Sequence, residues 1–170
     1  KQLLSNEQTI STTDLGAGSK TLSTGQKNKT ISSIARTSLS QAWQGRFMAC
    51  LAKTTSAKTI LELGTSLGIS AAYMASLLPE SKVYTIEGDP AVAEIAGHVF
   101  NDLHFKNILL INSSFENFLT QNQMSLPKVD LIFIDGNHRS EALITYMDAL
   151  WKYCHEHTIV VIDDIYWSRD

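Results

Sequence analysis

Five short apolar runs recur along the last two-thirds of this chain: Thr59–Leu63 (TILEL), Lys82–Glu87 (KVYTIE), Asn107–Ile111 (NILLI), Val129–Ile134 (VDLIFI) and Thr158–Ile162 (TIVVI). Between them lie stretches of helical periodicity. Ile69–Leu78 is stopped by Pro79, and a second helix runs from about Pro90 to His104, its proline suited to a first turn. Ser114–Gln121 is a short third, and Ser140–Cys154 carries Leu143, Met147 and Leu150 along one stripe. Strands rich in Val, Ile and Leu that alternate with helices predict an α/β fold: a doubly wound, mostly parallel sheet covered on both faces. The fifth run lies close to the end of the chain, so the last edge is expected to be bare and the domain C-terminally incomplete.

Upstream the pattern changes. From Ser5 to Thr30, 17 of 26 residues are Ser, Thr, Asn, Gln or Gly, which predicts a loop, mobile arm or lid over residues 1–33. Apolar residues then recur at Ile31, Ile34, Leu39, Trp43, Phe47, Met48 and Leu51, the mark of a helical lead-in to a domain spanning 34–170. A length of 170 residues fits one such domain. Two cysteines, Cys50 and Cys154, are too few for a disulfide framework, and no apolar run approaches the roughly 20 residues of a membrane span. A cytoplasmic protein with no membrane partner is expected. Residues 1–58 hold eight Lys or Arg against two acids, while residues 59–170 hold six against fifteen. The acidic larger part and the scattered basic residues disfavour a nucleic-acid platform.

Glu62-Leu63-Gly64-Thr65-Ser66-Leu67-Gly68 joins the first apolar run to its helix. Gly64 lets the chain turn and lets a ligand approach the backbone; Gly68 relieves crowding where the helix meets the sheet. The spacing is neither the dinucleotide G-x-G-x-x-G nor the phosphate-gripping G-K-[ST]. Glu87 closes the second run, where a carboxylate can accept both hydroxyl hydrogens of a ribose. Strand, glycine loop, helix, strand and acid in this order point to an adenosine-containing cofactor, against the plainer reading of a tight turn and a surface acid. A second glycine-containing stretch, Asp14-Leu15-Gly16-Ala17-Gly18-Ser19, has no strand before it and reads as a flexible turn.

Asp135 follows the fourth run and Asp163-Asp164 the fifth, at the carboxyl ends of strands, where ligands of parallel sheets bind. Three carboxylates converging there would need a proton or a cation, and their oxygens suit Mg²⁺ or another hard divalent ion. The alternative is that the pair caps a turn and points apart. His138 stands beside the crevice with a pKa suited to proton transfer, or else caps the following helix. Tyr166 and Trp167 are candidates for a pocket wall, and Lys29 and Arg36 for positive charge toward an anionic acceptor.

Taken together, ILELGTSLGISAAYMA (60–75), VYTIEGDP (83–90), VDLIFIDGNHRSEA (129–142) and VVIDDIYW (160–167) resemble the class I S-adenosylmethionine-dependent methyltransferases. The nearest likeness is to the catechol and caffeoyl-CoA O-methyltransferase-like branch. The resemblance spans roughly 39–167 and implies a Rossmann-like sheet whose usual last two strands, of seven, are missing. It implies S-adenosylmethionine held by Glu62, Gly64, Thr65, Ser66, Gly68, Glu87, Ser113 and Asp135. It further implies a divalent metal on Asp135, Asp163 and Asp164, the last standing where metal-dependent members carry Asn. Asp135 and His138 are then the catalytic candidates, because the lysine such enzymes carry near that Asp is not obvious here. The expected activity is methyl transfer to an oxygen of a small molecule, by a chain compatible with a homodimer. An NAD-dependent oxidoreductase and a non-catalytic Rossmann-like binding protein are the rivals.

Overall fold

The computed structural model describes residues 2–13, 26–38, 42–120, 126–137 and 139–165. Its centre is a five-stranded sheet of β3 (Thr59–Leu63), β4 (Lys82–Glu87), β5 (Ile108–Asn112), β6 (Leu131–Ile134) and β7 (Ile159–Ile162). The order is β5-β4-β3-β6-β7 and every pairing is parallel. β3 therefore lies in the middle, and the chain winds outward from it in both directions. That reversal opens a crevice at the carboxyl ends of the central strands, the usual ligand site of an open α/β sheet.

Both faces are covered, as the apolar runs require. One face packs Ile60, Val83, Leu131 and Phe133 against Met48, Ala52, Met74 and Phe100 from α2 (Ala42–Thr54), α3 (Ile69–Leu77) and α4 (Pro90–Asp102). The other packs Leu61, Leu63, Ile86, Ile132 and Ile134 against Phe118, Leu119, Tyr146 and Leu150 from α5 (Phe115–Thr120) and α6 (Ser140–Leu150). Strand alternation puts Glu62 on the same face as Ile60, directed at α3. β3 and β4 fall where the sequence places them, and the other expected elements differ at their ends by one to four residues. α6 stops at Leu150, where the chain tightens into a 3₁₀ turn, Trp151–Tyr153. β6 starts at Leu131 because the Asp130 carboxylate is engaged by the backbone at the foot of β3. β7 is the outer strand of the described sheet, and its residues are half-buried.

The polar N-terminal stretch is where the structure departs most from its composition. Thr9–Thr13 (β1) pairs antiparallel with Gln26–Thr30 (β2), which runs directly into α1 (Ile31–Ser38). β-Branched threonines favour extended backbone whatever their polarity, and only Ile10 and Thr12 of β1 turn inward. Ile31, Ile34 and Ala35 then form a third buried cluster with Leu67 and Val92, so α1 is bound to the glycine loop and to α4. Residues 14–25, which include the second glycine-containing stretch, lie outside the described residues, as do His138, Tyr166 and Trp167. No helix among the described residues is long and apolar enough to cross a membrane.

Candidate functional site

The loop after β3 is shaped by two close approaches. Gly64 has φ +110°, and a Cβ there would lie 2.0 Å from the Asp135 carbonyl oxygen, so a side chain is excluded twice over. The Gly64 and Thr65 N–H groups both donate to the Ile86 carbonyl, at 3.0 and 3.1 Å, which fastens the loop to β4. Ser66 follows in the left-handed region at φ 48°. Its N–H donates to Glu87 Oε2 at 2.9 Å, and the Asp89 N–H donates to Glu87 Oε1 at 2.9 Å. The glycine loop and the acid closing β4 thus meet directly. Burial raises the Glu87 pKa above the ordinary carboxylate value, and these backbone donors partly offset it.

Asp89 caps α4, its Oδ1 accepting from the Ala91 and Val92 N–H groups at 2.8 and 3.1 Å. Its Oδ2 accepts from the Thr13 N–H, so the hairpin is tied to the same corner. From the other side the Asn112 side-chain amide and the Ser113 N–H donate to the Glu87 carbonyl at 2.7 and 2.9 Å. The result is a cleft of about 260 Å³ at the carboxyl ends of the strands. Gly64, Ser66, Glu87, Asp89, Ser114, Phe115, Asp135 and Asn137 line it, closed by Thr12, Thr13, Lys29 and Ile34 from the N-terminal elements.

The cleft bears one mark of an intended occupant. Ser66 Oγ is the only buried side-chain polar atom among the described residues with no hydrogen-bond partner. An orphaned hydroxyl is costly unless a ligand completes it. The Ser66 N–H is bonded to the Glu87 carboxylate, so the hydroxyl and the acid belong to one corner of the cleft.

Five residues named from the sequence, Lys29, Gly64, Ser66, Glu87 and Asp135, line this cleft together. Glu62, Thr65 and Gly68 lie behind its lining. Glu62 is fully buried and accepts from Ser70 and from Thr85 Oγ1, the latter at 2.5 Å. Burial pushes its pKa up to about 8, which favours the protonated form of this acid beneath the loop. The Thr65 hydroxyl lies 2.6 Å from that of Thr85, extending the same network. Gly68, at φ +82°, caps α3, and a Cβ there would strike the Phe100 ring at 2.5 Å. Ser113 gives way to its neighbour Ser114 in the lining.

Sequence reasoning missed a cluster on the far wall. The Asn137 side-chain amide donates to the Tyr146 hydroxyl at 2.7 Å, and that hydroxyl donates in turn to the Glu116 carboxylate. Phe115 packs edge-on against the Tyr146 ring. Burial first, and then the Glu116 carboxylate, push the Tyr146 pKa up to about 12. The only sequence signal was Tyr146 beside the apolar stripe of its helix; the partners converge through the fold alone.

Asp163 and Asp164 follow β7 at the register position beside Asp135, but neither is among the residues that line the cleft. Asp163 accepts from the Gln44 side chain and, at 3.0 Å, from the Asp164 N–H. Asp164 is exposed, with φ 51°. Among the described residues no three His, Cys, Asp or Glu side chains come together to hold a metal ion.

Residues 61–165 match a family described as a methyltransferase domain. Over 54 residues the chain is 46% identical to a catechol O-methyltransferase of Niastella koreensis, covering 31% of this chain and 24% of that one. Over 83 residues it is 32% identical to a tRNA1(Val) (adenine(37)-N6)-methyltransferase of a Flavobacteriaceae bacterium, covering 48% and 36%. The crystal structure of the O-methyltransferase TomG from Streptomyces achromogenes, in complex with S-adenosylmethionine, superposes with a TM-score of 0.69 at 24% identity. That match covers 76% of this chain and 58% of TomG. The aligned stretches thus span about a third or less of these two curated relatives.

Proposed function

The chain belongs to the methyltransferase-domain family that its residues 61–165 match, and from that premise we propose that it transfers a methyl group from S-adenosylmethionine to an oxygen of a small molecule. The observation that carries the reading is the Ser66 N–H bonded to Glu87 at 2.9 Å, with the unpartnered Ser66 hydroxyl beside it. When bound, the donor supplies a methyl carbon made electrophilic by a sulfonium centre. Glu87 accepts hydrogens from the ribose hydroxyls, and the Ser66 hydroxyl completes its bonding on the ligand. Gly64 leaves the backbone bare where the ligand approaches. Asp135, at the end of β6, holds the acceptor hydroxyl and takes its proton as the new bond to carbon forms; His138, two residues beyond the Gly136 turn, is the other candidate base. Most of the acceleration comes from holding acceptor, methyl and leaving sulfur in line.

No step is routed through a divalent ion, since the described carboxylates do not assemble a site for one. A cleft lined by Glu87, Asp89, Glu116 and Asp135 favours a small acceptor over a polyanionic nucleic acid. The test is calorimetric titration with S-adenosylmethionine, S-adenosylhomocysteine and NAD. The expected result is binding of the first two and loss of at least about tenfold in E87A, the worth of a charge-assisted hydrogen bond. A preference for NAD overturns the reading. D135N should retain donor binding and lose most methyl transfer to any acceptor the wild-type chain uses.

A further inference from the structure

We infer that Lys29 determines ligand specificity in the cleft by taking a carboxylate borne by the bound small molecule, an inference that rests on the donor reading above. The family match begins at residue 61, yet Thr12, Thr13, Lys29 and Ile34 line the same cleft as Gly64 and Glu87. This wall is fixed in place by two independent anchors. The Thr13 N–H is bonded to the Asp89 carboxylate, and Ile31 and Ile34 are buried with Leu67 and Val92. The segment that precedes the matched domain is therefore part of its binding site.

The charges around the cleft are unequally committed. Glu87 is occupied by the Ser66 and Asp89 N–H groups, Asp89 by those of Thr13, Ala91 and Val92, and Glu116 by the Tyr146 hydroxyl. Lys29 is the only cation among the described lining residues, and among the described residues its ammonium has no hydrogen-bond or ion-pair partner. It sits on β2 opposite Ile10, exposed at the rim of the cleft. A cation held by an anchored wall, with no internal partner, is matched by an anion on the occupant. Two sources can supply it: the amino-acid end of the donor, or an acid group on the acceptor.

Binding measurements on the wild-type chain, K29A, K29E and K29R separate the two sources. One arm titrates S-adenosylhomocysteine and its decarboxylated analogue. The other titrates a dihydroxybenzoate and neutral catechol into protein loaded with S-adenosylhomocysteine. If the donor supplies the carboxylate, K29A weakens S-adenosylhomocysteine about fivefold and K29E more, with the loss shrinking at high salt. The decarboxylated analogue is then held equally by all, and K29R restores the affinity. If the acceptor supplies it, S-adenosylhomocysteine is unaffected and only the dihydroxybenzoate loses affinity relative to catechol. Equal binding of every probe by wild type, K29A and K29E overturns the inference and leaves the donor reading intact. A wild-type chain that binds neither adenosine compound sinks the donor reading instead, and the role of Lys29 with it. Melting temperatures should agree across the variants, because the side chain is exposed.

Discussion

The two ends of the parallel sheet are built on opposite terms. At the amino end the polar groups are fully spent on the protein. Asp130 Oδ2 accepts from the Lys58 and Thr59 N–H groups at 2.7 and 2.8 Å, and its Oδ1 lies 3.0 Å from His155 Nε2. Asn107 donates its side-chain amide to the carbonyls of Ala75, Leu78 and Ser81, each at 3.1 Å. At the carboxyl end lie Gly64, Ser66, Gly68, Asn137 and Asp164, all with positive φ, together with a buried acid of raised pKa and an orphaned hydroxyl. Left-handed residues occur at both ends, Ser56 and His104 at the amino end among them, but among the described residues the one unpartnered buried hydroxyl, Ser66 Oγ, lies at the carboxyl end. An unsatisfied buried group at one end of an otherwise well-satisfied sheet marks that end as the working one.

The sharpest way to break this contrast is G64A, which sets a methyl against the Asp135 carbonyl at a φ that L-residues rarely adopt. We expect a loss of about 3 kcal/mol or more, read by chemical denaturation, together with loss of donor binding. A fully stable G64A would mean that the loop is not held as described.

Glu62 tests the carboxyl end through pH. Its folded pKa, about 8, lies above its unfolded value of 4.5, so the folded state keeps a proton that the unfolded chain releases between them. Stability is highest below pH 4.5 as far as this group is concerned, and falls as pH rises toward 8, by up to about 1.4 kcal/mol per pH unit. E62Q, which preserves the shape and stays neutral, should remove that slope and be the more stable protein at pH 8. An unchanged slope would assign the proton to another group.

Asp130 tests the opposite end. Although partial burial opposes ionisation, its hydrogen bonds with Thr59, Lys58 and His155 hold its pKa below the ordinary value. Its contribution is therefore present above about pH 4 and is lost on acidification through the lowered folded value. D130A should cost about 2 kcal/mol by denaturation and leave S-adenosylhomocysteine affinity untouched. A binding defect there would mean that the two ends are coupled. The smallest effect belongs to S66A, which should leave stability within about 0.5 kcal/mol of wild type. Its S-adenosylhomocysteine affinity should still fall severalfold in the same titration, because the deleted group has no partner but the ligand.

Much of this was readable in the chain and some was not. The parallel sheet followed from runs such as LIFI, whose unbroken apolarity suits strands buried on both faces, repeated between helices. Gly64 and Glu87 were legible because a turn after one strand and an acid after the next reach one crevice whenever those strands neighbour each other. The hairpin was not legible, because pairing between polar strands is set by backbone hydrogen bonds and leaves little hydrophobic pattern. The division of roles within the glycine loop was also hidden. Glu62 and Ser66 are both polar residues near one turn, yet strand alternation buries the first beneath α3, while the left-handed kink opens the second to the cleft.

From Thr59 onward, local residue patterns by themselves determined which segments are strands and which helices, and that an acid and a glycine loop would share the carboxyl edge. Periodicity and turn chemistry act over a few residues and need no distant partner. Only the tertiary structure decided that Thr13 and Lys29 wall the same cleft, that Tyr146 links Asn137 to Glu116, and that Gln44 engages Asp163. Those contacts join residues far apart in the chain, and their partners are selected by packing, which no local pattern encodes.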